Sequence, residues 1–450
     1  MARTPFILLA FAVLAGCADE VVLGTGTLSV PLVLGDWPEP VVMRGTPLRF
    51  AGSGFLDPAI GTHRLVVRAD DGREAPLAVK VVSDHELLAS IDVTFLATFP
   101  AGGLVSGQAT LFRALNDSGL NDSTTVSVDF DVVDNLDPAV TAFGNAAGDD
   151  ALYPGDELVL AGSGFLLAGE GQTIVELRGS FETLVPPETV PVDTVLPLNG
   201  SSRTELRFAL TPDVLGVRPG RFRGDLRVSN EALLSSRDGA GLAEVDRTLY
   251  APRIDTVTPG VAARGQRLTA TGRGLLPTDP FYEATTLIQL EGAFTTLKTS
   301  QTLPLSGPSA LALFPDEFQS NTAMRYVLRV TQTPGGELVG LGLIAGQFTG
   351  RVTPMILSGA ETIVGQGIDV TLTIALQKQV VFVKYLPGFS ATLAEMGLGP
   401  REAAIKARVL AVCARAYENV NIEFRDVRPT DFAEYAIIEV GGEDPNEWWA

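Results

Sequence analysis

The stretch Gly52-Ser53-Gly54-Phe55-Leu56 returns as Gly162-Ser163-Gly164-Phe165-Leu166 and again as Gly272-Arg273-Gly274-Leu275-Leu276, each time after 110 residues. A similar lead-in precedes every copy: Arg44-Gly45-Thr46-Pro47-Leu48, Pro154-Gly155-Asp156-Glu157-Leu158 and Arg264-Gly265-Gln266-Arg267-Leu268. A fixed internal period marks repeated structural units. At 450 residues the chain is also too long for a single core. It fits roughly three or four domains of about 100 to 150 residues.

Within each period the apolar residues alternate. Leu48 and Phe50, Leu65 and Val67, Leu77, Val79 and Val81, Leu87, Ile91, Val93 and Phe95, and Val126, Val128, Phe130 and Val132 all follow the period of two expected of half-buried strands. Turn residues such as Asp70-Asp71-Gly72 separate them. About seven strands in about 100 residues is the pattern of an immunoglobulin-like sandwich. The second unit repeats it through Leu158, Leu160, Val175, Leu177, Leu206, Phe208, Leu226 and Val228, and the third through Leu268, Ile288, Leu290, Tyr326, Leu328 and Phe348. The expected fold is therefore mainly β, three tandem immunoglobulin-like β-sandwiches with a small C-terminal α/β segment. The expected boundaries are 37–134, 135–250 and 251–352 for the sandwiches, 353–379 for a linker and 380–450 for the α/β segment.

Arg3 followed by the apolar run Phe6–Val13 reads as an export signal over residues 1–16, too short to span a bilayer. The four residues Leu14-Ala15-Gly16-Cys17 resemble the bacterial lipobox, which implies that Cys17 is acylated and becomes the N-terminus. Residues 17–36 then read as a tether. Ala18, not an acidic residue, follows the cysteine, which on the same resemblance directs the protein to the outer membrane of a bacterial envelope. The one other cysteine, Cys413, lies in an apolar helical pattern and reads as a small core residue. No intramolecular disulfide is then available, so each domain must hold by apolar burial. With 33 basic against 53 acidic residues the net charge is −20, which repels nucleic acid.

The lead-in Gly-x-x-Leu, the Gly-x-Gly-Phe-Leu that follows, and an opening segment such as Ile254-Asp255-Thr256-Val257-Thr258-Pro259 together resemble the IPT/TIG family of immunoglobulin-like domains, over about residues 37 to 352. The repeat-defining glycines are Gly52, Gly54, Gly162, Gly164, Gly272 and Gly274. Glycine suits a strand end that turns through positive φ, with the next apolar side chain plugging the sandwich.

From about Val380 the pattern changes. Val380–Leu386 reads as a buried strand, Ile405, Val409, Val412, Cys413 and Ala416 as one face of a helix, and Val420–Phe424 and Tyr435–Val440 as further strands. Phe382-Val383-Lys384-Tyr385-Leu386-Pro387-Gly388-Phe389, with Asn421-Ile422-Glu423-Phe424 and Gly441-Gly442, resembles the front half of a metzincin-like zinc peptidase domain. Such enzymes hold zinc through His-Glu-x-x-His on a later helix. The only histidines here are His63 and His85, both in the first sandwich and both read as surface imidazoles. The chain as it stands therefore carries no catalytic or metal residues by that route, and no cofactor is expected. Trp448-Trp449-Ala450 do not continue the resemblance, as expected of an interrupted reading frame.

Other motifs carry less. A dinucleotide site needs a helix after its glycines, and none is patterned here. Arg223-Gly224-Asp225 sits in strand alternation. The carboxylate-bearing stretches 116–122 and 149–156 lack the spacing of a calcium loop. No Gly-x-Ser-x-Gly elbow occurs. The reading is a lipid-anchored envelope protein whose tandem domains bind a protein or glycan, or act as a spacer, with the membrane as partner through the N-terminal lipid. The alternative is a truncated secreted zinc metallopeptidase whose sandwiches hold its catalytic domain off the membrane.

Overall fold

The computed structural model describes residues 30–116, 121–149, 151–279, 283–329, 331–332 and 338–442. The chain divides after Asp134 into two compact units. The first holds one sandwich and the second holds two, followed by the α/β segment.

All three sandwiches have one topology. In the first, a four-stranded sheet runs in the order Val33–Leu34, Pro47–Ser53, Glu86–Ser90, Val79–Ser83. Facing it, a five-stranded sheet runs Val41–Val42, Asn121–Val132, Gly103–Leu115, Gly61–Ala69, Glu74–Leu77. In the second the same two paths are Ala139–Asn145, Glu157–Ser163, Glu205–Ala209, Gly200–Ser202 and Ala151–Leu152, Leu242–Leu249, Gly220–Ala232, Gly171–Leu184, Pro187–Leu198. In the third they are Arg253–Thr258, Arg267–Arg273, Ala323–Val327, Pro315–Ser320 and Val261–Ala262, Ile368–Ile374, Gly346–Ser358, Ala284–Thr296, Thr302–Leu305. In each, the two-residue strand that starts the second sheet pairs in parallel with the last strand. The chain has crossed from one sheet to the other, which is the immunoglobulin-like arrangement. Alternation fills the space between sheets: Leu48 and Phe50 are buried while Arg49 and Ala51 are exposed, and each sandwich has its own apolar cluster.

The two glycines of the repeat do different work. Gly54, Gly164 and Gly274 have φ of 78°, 73° and 75°, a region that costs other residues energy. Gly52, Gly162 and Gly272 instead lie against the neighbouring strand: a Cβ there would stand 2.2, 1.9 and 1.9 Å from the carbonyl oxygens of Val33, Ala139 and Arg253. Phe55, Phe165 and Leu275 then turn inward and are buried.

Four expectations are corrected. The tether does not extend to residue 36, because Val33–Leu34 pairs with Gly52 and Ser53 as the first strand of the first sandwich. Residues 353–379 are not a linker: Gly346–Ser358 continues through Pro354, and Glu361–Val364 and Ile368–Ile374 complete the third sandwich. Its last strand, Ile368–Ile374, lies beyond the end expected at residue 352. Val93 and Phe95 belong to a helix, Val93–Thr98, whose first turn is capped by Asp92 Oδ1 accepting the Phe95 N–H at 2.8 Å. Finally, the α/β segment has a second helix, Pro387–Glu395, where only a strand end was expected. Arg223-Gly224-Asp225 lies in an interior strand paired on both sides.

The α/β segment is a parallel sheet in the order Ile422–Arg425, Gln379–Tyr385, Ala436–Val440. Helices Pro387–Glu395 and Glu402–Ala416 make the crossover. Val380 and Val383 are buried in its central strand.

Candidate functional site

Three kinds of place bring side chains together: the latch behind each glycine turn, the joint between the second and third sandwiches, and the face of the α/β segment. The latch comes first in the chain. His63, Thr173 and Thr286 occupy one equivalent position, two residues into the strand that follows the turn. Each accepts the backbone N–H of the residue after the plug: Leu56 to His63 Nε2 at 3.3 Å, Leu166 to Thr173 Oγ1 at 3.0 Å, and Leu276 to Thr286 Oγ1 at 2.6 Å.

Across the ladder from these stand Arg113, Asn230 and Ile356. Arg113 is buried and donates to Gly54 O at 2.7 Å, Val30 O at 3.1 Å and Asp122 Oδ2 at 2.9 Å. Asn230 donates to Gly164 O at 2.8 Å and Leu136 O at 3.0 Å. His63 is thus a half-buried structural acceptor and not the surface imidazole expected from sequence. Burial, with the Arg113 charge added, lowers its pKa and keeps the ring neutral. His85 is exposed as expected, with Nδ1 3.1 Å from Gly52 O.

The joint uses the lead-in turn. A Cβ on Gly155, at φ 77°, would stand 3.0 Å from Leu276 Cδ2 of the next sandwich. Beside it Asp156 is buried. It accepts from the Tyr153 N–H at 3.0 Å, Asn321 Nδ2 at 2.8 Å and Arg273 at 3.1 Å. Burial raises the Asp156 carboxyl above its ordinary range, while the Tyr153 N–H and Arg273 pull it down. Arg273 also reaches Asp149 at 2.8 Å and lies over the Tyr153 ring at 4.5 Å. An apolar patch of Val217, Leu276, Ala284, Ile356 and Ile363 closes the contact. On its other side Arg218 grips Glu361 with bonds of 2.9 and 2.5 Å. Next to this pair opens a groove of about 780 Å³, lined by Val190, Val192, Pro212 and Val217 and by the carboxylates of Asp193, Asp213, Glu283 and Glu361.

The third sandwich receives the α/β segment at the same corner. Gly265, at φ 77°, lies against Glu434, and its carbonyl accepts the Ala433 N–H at 2.8 Å. The Arg267 N–H donates to Asp431 O at 2.8 Å. Ala263, Val380 and Phe432 are buried together beneath. Hydrogen bonds from Arg425, then Lys378, depress the Glu423 carboxyl to about 2.

The helix Glu402–Ala416 departs from expectation. Its apolar stripe is not core: no residue of the helix is buried, and Val412 is 40% exposed. Cys413 is only partly covered. The helix meets the sheet elsewhere, through Lys406 over the Tyr385 ring at 4.9 Å and through Tyr417 against Phe424 at 5.5 Å.

The lipidation residue Cys17, the signal segment, residues 117–120 of the first carboxylate stretch, Asp150 of the second, and Trp448-Trp449-Ala450 lie outside the described residues. Among the described residues, no group of three or more His, Cys, Asp or Glu is placed to hold a metal ion, and no helix is long and apolar enough to cross a membrane. The polar latches were missed in sequence, because a histidine and two threonines share no pattern.

No family model and no curated protein matches the chain. Among solved structures, a tetra-tandem repeat from the extending region of a large adhesion protein is similar at 12% identity, over 76% of this chain and 74% of that one, with a TM-score of 0.17. A DUF4785 family protein from Legionella pneumophila is similar at 10% identity, over 48% of this chain and 56% of that one, with a TM-score of 0.16.

Proposed function

We propose that this chain is a lipid-anchored protein of the bacterial envelope whose tandem sandwiches bind a protein or glycan. The observation that carries the reading is the groove of about 780 Å³ beside the Arg218–Glu361 pair. Neither sandwich makes it alone, and it is within the size range of ligand sites. Its valine and proline walls suit the C–H faces of a sugar or an aliphatic side chain. Its Asp213 and Glu283 carboxylates suit hydroxyl or ammonium donors. Anchoring rests on Leu14-Ala15-Gly16-Cys17.

Titration of residues 18–450 against neutral oligosaccharides and against lysine-bearing peptides, compared with Asp213→Lys, tests the binding half. Equal responses from wild type and variant to every probe would reject the groove as the site. Detergent phase partitioning of wild type and Cys17→Ala tests the anchor, which fails if both forms partition alike. A second reading makes the sandwiches spacers for a zinc peptidase domain of which 380–442 is the front. The open edge of strand Ala436–Val440 favours it, with Ile437 and Ile438 about half exposed. A continuation of the reading frame carrying His-Glu-x-x-His is what that reading requires.

A further inference from the structure

The helix Glu402–Ala416 shows an apolar seam and a cationic row side by side. Ile405, Val409 and Val412 line an open depression of about 470 Å³ together with Arg401 and Arg408. Arg401, Arg408 and Arg415 recur every seven residues and so form one row along the helix beside that seam. All three are exposed. Most other cations are engaged: Lys378, Lys384, Lys406 and Arg425 of this same segment each hold a carboxylate. Among the described residues the three arginines of the row hold none, in a chain of net charge −20.

We propose that this face docks an acidic amphipathic helix of another polypeptide. An apolar ridge of the partner would lie along Ile405, Val409 and Val412, and its carboxylates would pair with the arginine row, as flanking charges do in helix pairs. A second copy of the same helix fits poorly. In an antiparallel two-fold pair each flank meets its own copy, which sets arginine row against arginine row.

The test uses residues 18–450 and a designed 21-residue helical peptide with leucine and isoleucine along its seam and glutamate on both flanks, with binding read by fluorescence anisotropy. A counterpart with lysine at the flanking positions is the control. The glutamate peptide is expected to bind at least tenfold more tightly than the lysine peptide. Arg408→Glu with Arg415→Glu is expected to invert that preference, a gain that a misfolded variant cannot produce. Val412→Asp, at an exposed position, is expected to weaken the glutamate peptide at least tenfold.

Equal binding of both peptides, or binding of neither, overturns the proposal. So does arginine-dependent capture by phosphatidylglycerol vesicles with the peptide inert, which assigns the face to a membrane. A dimer in sedimentation that Val412→Asp abolishes, again with the peptide inert, assigns it to a second copy. Peptide binding that appears only after removal of residues 443–450 assigns it to the chain's own end.

Discussion

His63 is the one latch built from a titratable group, and its replacement separates a hydrogen bond from a charge. The Leu56 N–H reaches Nε2 at 3.3 Å, and the ring stands edge-on to Phe55 with centroids 6.2 Å apart. A ring nitrogen that accepts must be unprotonated, so Nδ1 carries the proton and a second proton breaks the latch. His63→Ala removes one partly buried hydrogen bond, about 1 kcal/mol, and one aromatic contact, about 0.5 to 1.5 kcal/mol. The expected loss is therefore about 2 kcal/mol. His63→Thr restores the acceptor used at Thr173 and Thr286 and should lose only the ring contact.

The sign with pH follows from linkage. Burial and Arg113 lower the folded pKa of His63 below 6.5, so between the two values the unfolded chain binds more protons. The histidine's contribution is complete above pH 6.5 and is lost as pH falls through the folded pKa. Urea unfolding of residues 30–134 can be followed by Trp37, which stacks on Phe130 at 4.7 Å. Wild type should lose stability between pH 7.5 and pH 5, and His63→Thr should lose less. If His63→Thr is as pH-sensitive as wild type, or His63→Ala costs nothing at pH 7.5, the latch reasoning is wrong.

Two other substitutions follow from the same geometry. Gly164→Val forces a β-branched residue to φ 73° and sets its Cβ 2.3 Å from Asp137 O, so it should cost at least about 2 kcal/mol; Gly260→Ala, with nothing within 4 Å, should be neutral in the same thermal unfolding assay. Asp156→Ala leaves Arg273 with Asp149 alone and strands the Tyr153 N–H and Asn321 Nδ2, and should weaken the joint by about 1 to 3 kcal/mol, read as a second transition in the calorimetry of residues 135–442. Arg218→Ala at the more exposed pair should cost less than Asp156→Ala does.

How much of this the sequence disclosed depends on which residues had to repeat. The glycines and the plug after them recur because a positive φ, a close strand and a filled sandwich end each admit few side chains. They were therefore visible without any structure. The two-residue strands Val33–Leu34, Val41–Val42 and Val261–Ala262 were not, because so short a run has no period. The third sandwich was cut short because Val352-Thr353-Pro354 imitates a domain end. Pro354 instead sits within Gly346–Ser358, and its carbonyl accepts the Gly365 N–H at 2.8 Å. The helix face Ile405, Val409 and Val412 was read correctly as apolar, and Cys413 beside it wrongly as core. Periodicity reports which side chains share a face; it does not report that anything covers that face.

The joint shows where the remaining information lies. The middle residue of the Gly-x-Gly turn is free to vary, because its side chain leaves the sandwich between two glycines fixed by backbone geometry. It is Ser53 and Ser163 in the first two copies and Arg273 in the third. Only the arginine is long enough to cross to the preceding lead-in and hold Asp149 and Asp156. The lead-in varies in step: Asp156 follows Gly155, where Gln266 follows Gly265. Gln266 keeps its side chain at home, its Oε1 accepting the Ala263 N–H at 3.0 Å, and that corner receives the α/β segment through backbone bonds at Gly265 and Arg267. The repeat therefore carries two layers. The glycines specify that a sandwich forms, and the residues between and beside them specify what docks on its corner. An exchange of Arg273 for serine should leave the third sandwich folded and remove its grip on the second.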